Sequence, residues 1–181
     1  QNIPVRTELG RRLRAAFVAG EPDMSLLSAD YSQVELRVLA HCSGDPALRN
    51  AFESGRDIHT FVAAQVHGVT EDDVTPEMRQ KAKAVNFGIV YGQGAYGLSK
   101  SIGVSVQEAD AFISGYFERY PKVKEFIGST IEAARRDGFV RTLAGRKRLI
   151  EGINASGATR AAAERIAVNS VIQGSAADLI K

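Results

Sequence analysis

The 181 residues are 44% apolar and 24% charged, with a formal charge of +2 and a single cysteine. That balance is globular rather than disordered, and the length allows one or two domains with a real core. No apolar run approaches the ~18 residues of a membrane span, no secretory signal is visible, and the lone Cys42 excludes an internal disulfide and fits a reducing compartment.

The charge is unevenly placed. Residues 135–148 hold Arg135, Arg136, Arg141, Arg146, Lys147 and Arg148 against Asp137 alone, and the start holds Arg6, Arg11, Arg12 and Arg14 against Glu8. Clusters of this kind suit a phosphate backbone, and a solvated charged surface explains them equally well. The chain lacks an initiator Met and stops at Lys181 within a helical pattern, so it is expected to be a piece of a longer protein.

In chain order, "RRLRAAFVAG" and "DMSLLSAD" read as two short strands joined by a Gly-Glu-Pro-Asp turn, with Asp30 at the end of the second. "SQVELRVLAHCSG" has helical spacing at Val34, Leu36, Leu39 and Ala40 and stops at Gly44. A short helix is expected over Asp45–Glu53, and Asp57 caps another through Gln65. Thr75, Pro76 and Glu77 open a helix over 76–91 that Gly92 ends. Ser105 caps an amphipathic helix from Val106 to Tyr120, whose buried stripe is Val106, Ala109, Phe112, Ile113, Phe117 and Tyr120. Pro121 opens a helix to about Arg136. "GFVRTLAGRKRLI" reads as a β-hairpin bent at Ala144-Gly145, and residues 157–172 return to helix. The class is α+β, mostly α, with little sheet.

Two local patterns could carry chemistry. A carboxylate such as Asp30, at a strand end before a helix, is well placed for a hard cation, and it can equally cap that helix. Ser32-Gln33-Val34-Glu35 fits a capping box, which on local grounds outweighs a chemical role for Glu35. The helix over 76–91 is stranger. It carries Arg79, Lys81 and Lys83 in its early turns, where the macrodipole disfavours cations. Arg79, Lys83, Phe87 and Tyr91 are spaced by four and share one slowly drifting face. Two cations, a ring and a phenol match the order of needs of a nucleoside triphosphate; an ordinary amphipathic helix is the plainer reading. His59 could donate to a phosphate or simply pack. Gln173 suits a buried hydrogen bond or a minor-groove contact. His41, Cys42 and His67 make no zinc spacing, and no G-x-x-x-x-G-K-[ST] loop is present.

Taken together, "DYSQVELR", "GRDIHT", "RQKAKAVNFGIVYG", "YPKVKEF" and "NSVIQGSAADLIK" resemble, in order and along the whole chain, the polymerase domain of family A DNA polymerases of the bacterial DNA polymerase I type. The resemblance implies a partial palm with a small antiparallel sheet and a helical fingers subdomain. Residues 1–40 would be a palm segment with motif A, 41–155 the fingers with the motif B helix, and 156–181 a helix returning to the palm. It implies template-directed DNA synthesis in replication and repair, with primer-template DNA and deoxynucleoside triphosphates as partners and two Mg²⁺ ions as cofactor. Asp30 is the implied metal ligand, with the Tyr31 carbonyl beside it, and Asp30 and Lys83 the implied catalytic pair. Glu35 is the implied steric gate against a ribose 2′-hydroxyl, paired with Tyr91. His59, Arg79, Lys83 and Phe87 are implied to meet the nucleotide, with Gln33 and Tyr31 in the same site. Arg6, Arg165, Asn169 and Gln173 are implied DNA contacts. Motif C, with the second metal carboxylate, has no match before Lys181, so the chain alone is expected to be inactive. A monomer in the bacterial or phage-like cytoplasm, associated with the nucleoid and not with membrane, completes the expectation. A binding module without chemistry and a single-subunit RNA polymerase are the competing readings; Glu35 and Phe87 favour deoxynucleotides.

Overall fold

A computed structural model describes residues 7–21, 23–27 and 29–181. The chain divides into two units at residues 32 and 33, and each is treated on its own.

Among the described residues of the first unit the expected strands do not form. Residues Glu8–Ala15 are a helix, α1, capped by the Thr7 hydroxyl, which accepts from the Gly10 amide at 3.1 Å. Arg11, Arg12, Leu13 and Arg14 are good helix formers, and a capped N-terminus with Glu8 in its first turn decides for helix over an alternation only a few residues long. The described residues of 23–31 are turn and irregular chain, and Asp30 and Tyr31 are exposed. Arg6 lies outside the described residues.

The second unit is helical with one hairpin. Its elements are α2 (Val34–Ser43), α3 (Pro46–Glu53), α4 (Ile58–His67), α5 (Pro76–Val90), α6 (Ala95–Ile102), α7 (Val106–Arg119), α8 (Pro121–Asp137), β1 (Phe139–Arg141), β2 (Lys147–Leu149) and α9 (Gly157–Ile180). The starts follow local chemistry. Asp45 and Asp57 accept from the first amides of α3 and α4, Thr75 caps α5 ahead of Pro76, and Ser105 with Glu108 forms the capping box of α7. The hairpin pairs Val140 with Arg148 in antiparallel register around the expected bend. α6 was not expected, because its glycine-rich approach hides the helical period, and α9 runs eight residues beyond the expected 172. On α7, Ala109 and Tyr120 are buried as expected, but Val106 is exposed and Tyr116 is fully buried instead.

The main core gathers Leu36, Leu39, Ile58, Val62, Val85, Ile89, Val90, Leu98, Tyr116 and Ile172 from α2, α4, α5, α6, α7 and α9. A smaller one under the hairpin joins Ala134, Val140, Ile150, Ile153, Ala167 and Val171. The hairpin turn is stapled to α9. Thr142 donates to Asp178 at 2.6 Å, Arg146 donates to Asp178 at 2.9 Å and to the Gly174 carbonyl at 3.0 Å, and the Leu143 amide donates to Ser175 at 2.9 Å. A side chain at Gly174 would meet the Thr142 methyl at 2.7 Å, so the Thr142 side chain packs against α9 where only glycine fits.

Candidate nucleotide-binding face on helix α5

α5 packs on α4, α6, α7 and α9 and turns one face outward. Ala82, Val85, Asn86, Ile89 and Val90 are buried, while Arg79 and Lys83 are exposed and Phe87 and Tyr91 half-buried. The spacing by four therefore does present two cations and two rings on one side. Phe87 and Tyr91 stack at 6.1 Å between ring centroids, and His59 of α4 lies 6.0 Å from Phe87, so three rings form a row.

The capping box expected for Glu35 does not form. The residue at the cap position before α2 is Gln33, whose backbone is left-handed (φ 55°) and whose side chain caps nothing. Glu35 instead accepts a hydrogen bond from the Tyr91 hydroxyl at 3.1 Å, joining residues 56 apart in sequence. Burial pushes the Tyr91 phenol up, the Glu35 charge and hydrogen bond push it further, and the Gln173 side chain opposes them by hydrogen bonding to the same hydroxyl. Tyr91 is thus a neutral donor in physiological water, held between a carboxylate and an amide. The α5 helix ends as expected: Gly92 follows the cap residue Tyr91 with φ +64°. A side chain there would meet Arg165 of α9 at 2.8 Å.

The three cations of the helix are not equivalent. Lys81 pairs with Glu77 at 2.7 Å, and Arg79 donates to Asp57 at the start of α4, also at 2.7 Å. Among the described residues Lys83 has no ion-pair partner. His59 is 3% exposed, and its Nδ1 lies 3.1 Å from the Asn86 amide nitrogen. With Nδ1 accepting from that amide, the ring proton sits on Nε2. Burial, reinforced by the Arg79 and Lys83 charges against the pull of Asp57, holds the imidazole down at about 4. His59 is therefore a neutral ring that can offer one N–H.

Of the remaining expected residues, Arg165 and Gln173 are exposed on α9, and Asn169 is half-buried with its carbonyl oxygen unpartnered. The face can bind an anion at Lys83, stack a flat ring on Phe87, and hold a carboxylate and a phenol together at its far end. Asp57 was visible in sequence only as a helix cap; its ion pair to Arg79 spans 22 residues and has no local signal. The cluster at 135–148 is mostly neutralised. Arg135 pairs with Glu164, Arg136 with Asp137 and Arg146 with Asp178, while Arg141 and Lys147 lie over the Phe139 ring.

Comparison with known proteins gives a consistent picture. The family described as DNA polymerase family A matches residues 1–181. DNA polymerase I of Caldicellulosiruptor bescii is 56% identical over the whole chain, which covers 21% of that protein. The thermostable DNA polymerase I of Thermus thermophilus is 52% identical, with 22% of its length covered, and that of Mycobacterium tuberculosis 47%, with 20% covered. The chain thus spans about a fifth of the length of these relatives. Among solved structures, the POL domain of Pol1 from M. smegmatis, in complex with DNA primer-template and dNTP, matches with a TM-score of 0.90 at 46% identity, covering 99% of this chain and 32% of that one.

Proposed function

Because the chain belongs to DNA polymerase family A, we propose that it forms the nucleotide-binding part of an enzyme that adds deoxynucleotides to a primer 3′-hydroxyl under the direction of a template. Residues 1–40 would belong to the palm, 41–155 to the fingers, and 156–181 to a helix returning to the palm. The observation that carries the reading is the ordered face of α5, from unpaired Lys83 through Phe87 to Tyr91 tied to Glu35. On this reading Lys83 and Arg79 meet the triphosphate and bring it into line, and His59 adds a neutral N–H donor. Phe87 packs on the incoming sugar and base. The Glu35–Tyr91 pair closes the sugar pocket, and a ribose 2′-hydroxyl would have to disturb a hydrogen bond already made. Arg165, Asn169 and Gln173 on α9 face the duplex, as Arg6 would from the palm. The relative with bound primer-template and dNTP supports both partners. The protein acts as a monomer on the DNA of a bacterial cell.

The family also implies magnesium. Asp30 is exposed, and its carboxylate with the Tyr31 carbonyl offers hard oxygens of the kind Mg²⁺ takes. Among the described residues no group of three or more His, Cys, Asp or Glu side chains gathers as a metal site. The donors therefore fit in kind and supply part of a ligand set. When bound, magnesium would activate the primer hydroxyl and stabilise the leaving pyrophosphate. The deciding experiment is primer extension by a complete family A polymerase carrying this segment, as wild type and Asp30→Ala. Loss of extension with primer-template binding retained is expected; turnover near the wild-type rate in Mg²⁺ would remove Asp30 from the reaction.

A further inference from the structure

We propose that Asp57 is a positioning residue for nucleotide binding: it fixes the Arg79 guanidinium, through a carboxylate itself locked to the start of α4, so that the remaining guanidinium N–H groups meet the triphosphate. The inference rests on the proposed nucleotide-binding face and extends it to a side chain that touches no substrate.

Three observations carry it. The two oxygens of Asp57 do different work. Oδ1 accepts from the backbone amides of His59 at 3.0 Å and Thr60 at 2.8 Å, while Oδ2 accepts from Arg79 Nη2 at 2.7 Å. The carboxylate is thus held by two backbone bonds and is a fixed point, whereas a surface ion pair usually joins two mobile side chains. Second, Arg79 is 45% exposed along its side chain, so Asp57 engages it without enclosing it. A guanidinium carries five donors, and one bond to Oδ2 leaves the others for an anion. Third, α4 and α5 pack together, so an anchor on one helix sets a side chain on the other in a reproducible place. Partial burial raises the Asp57 carboxyl, but the Arg79 and Thr60 hydrogen bonds and the Arg79 charge outweigh it and hold it at about 2, so the anchor stays ionised wherever the protein works.

An anchor and a competitor predict opposite signs. If Asp57 orients Arg79, removing it frees a long side chain that must be ordered again on binding, and nucleotide use weakens. If Asp57 merely occupies Arg79, removing it strengthens nucleotide use. Asp57→Ser separates the two jobs of the residue, because serine caps a helix nearly as well as aspartate but cannot reach Arg79.

The test is a double-mutant cycle in a complete polymerase carrying this segment: wild type, Asp57→Ser, Arg79→Ala and the double variant, with KM for dNTP, kcat and primer-template Kd measured for each. The expected result is a rise of about three- to tenfold in KM for Asp57→Ser, with primer-template Kd unchanged. In the Arg79→Ala background the same change should have no effect, which a purely structural role for Asp57 would not produce. Tighter dNTP use by Asp57→Ser, or an equal loss in both backgrounds, overturns the proposal and leaves the nucleotide-binding face standing. Unchanged dNTP kinetics in Arg79→Ala itself overturns Arg79's part in that face, and the proposal with it.

Discussion

Two basic regions of the second unit look alike as strings and differ as objects. The stretch from α8 through the hairpin has six cations in fourteen residues, and most of them are committed: Arg135, Arg136 and Arg146 to carboxylates, Arg141 and Lys147 to a ring. α5 has only three, yet Lys83 is exposed, has no ion-pair partner among the described residues, and stands beside an aromatic row. The lesson is that availability, not density, marks a site for an anion. A paired cation offers an anion less field and only its remaining donors, as Arg79 would beside Asp57, and an exposed pair contributes little to stability either.

Acid should produce the largest effect, and between pH 6.5 and 4 it should act mainly on the α5 side. His59 is neutral in the folded chain down to about 4, against 6.5 when unfolded. Between those values the unfolded chain takes up a proton that the folded one refuses. The His59 share of stability therefore falls as pH drops from 6.5 towards 4, by up to about 3 kcal/mol, and below that the loss passes to carboxylates such as Asp57, which is held at about 2. Urea unfolding at several pH values should show this slope in the wild type and a much shallower one in His59→Asn, where His67, also lowered by burial and by Lys81, keeps a remainder. A difference between the two proteins that stays constant across the window would break the contrast.

Next in size is Lys83→Ala, assayed in the complete polymerase. Removing a charge-assisted phosphate contact costs roughly 1.5–3 kcal/mol, so kcat/KM for dNTP should fall by about ten- to a hundredfold with primer-template binding little changed. Unchanged steady-state kinetics would return α5 to an ordinary amphipathic helix. The smallest effect belongs to Arg136→Ala. Its partner Asp137 is adjacent in sequence and the Arg136 side chain is 73% exposed, so neither stability nor dNTP kinetics should move measurably. A change in nucleotide KM there would mean that the second cluster is not spent.

What could be read from the sequence follows the range of the interaction. Helix starts at Asp45, Asp57, Thr75 and Ser105 were legible because a cap is satisfied within three residues. The turn of the hairpin was legible for the same reason. The face of α5 was legible as a period, since four-residue spacing survives folding unchanged. Glu35 was not legible from its neighbours: its local pattern argues for a cap, and the pairing with Tyr91 that the family resemblance implied is made only by tertiary packing. Asp57 was half legible, as a cap but not as an ion pair. α1 was misread because residues 11–20 run into a Gly-Glu-Pro-Asp turn signal and so resemble a strand before it, while the Thr7 cap upstream set the helix. The recurrence of several motifs in family order carried what local chemistry could not.

The turn after α5 bears on what a library of variants could explore. Gln33 shows that this fold accepts a side chain on left-handed backbone, at φ 55°. Gly92, at φ +64°, differs not in its torsion but in its neighbour, since a first carbon there would sit 2.8 Å from the Arg165 side chain. Asparagine, which tolerates that torsion, does not solve the collision. Position 92 is therefore closed by space rather than by conformation. Mutagenesis that varies Tyr91 to probe its proposed part in nucleotide choice must work within a frame whose next residue cannot vary unless Arg165 changes with it, so the two positions form one unit of heritable variation across 73 residues of sequence.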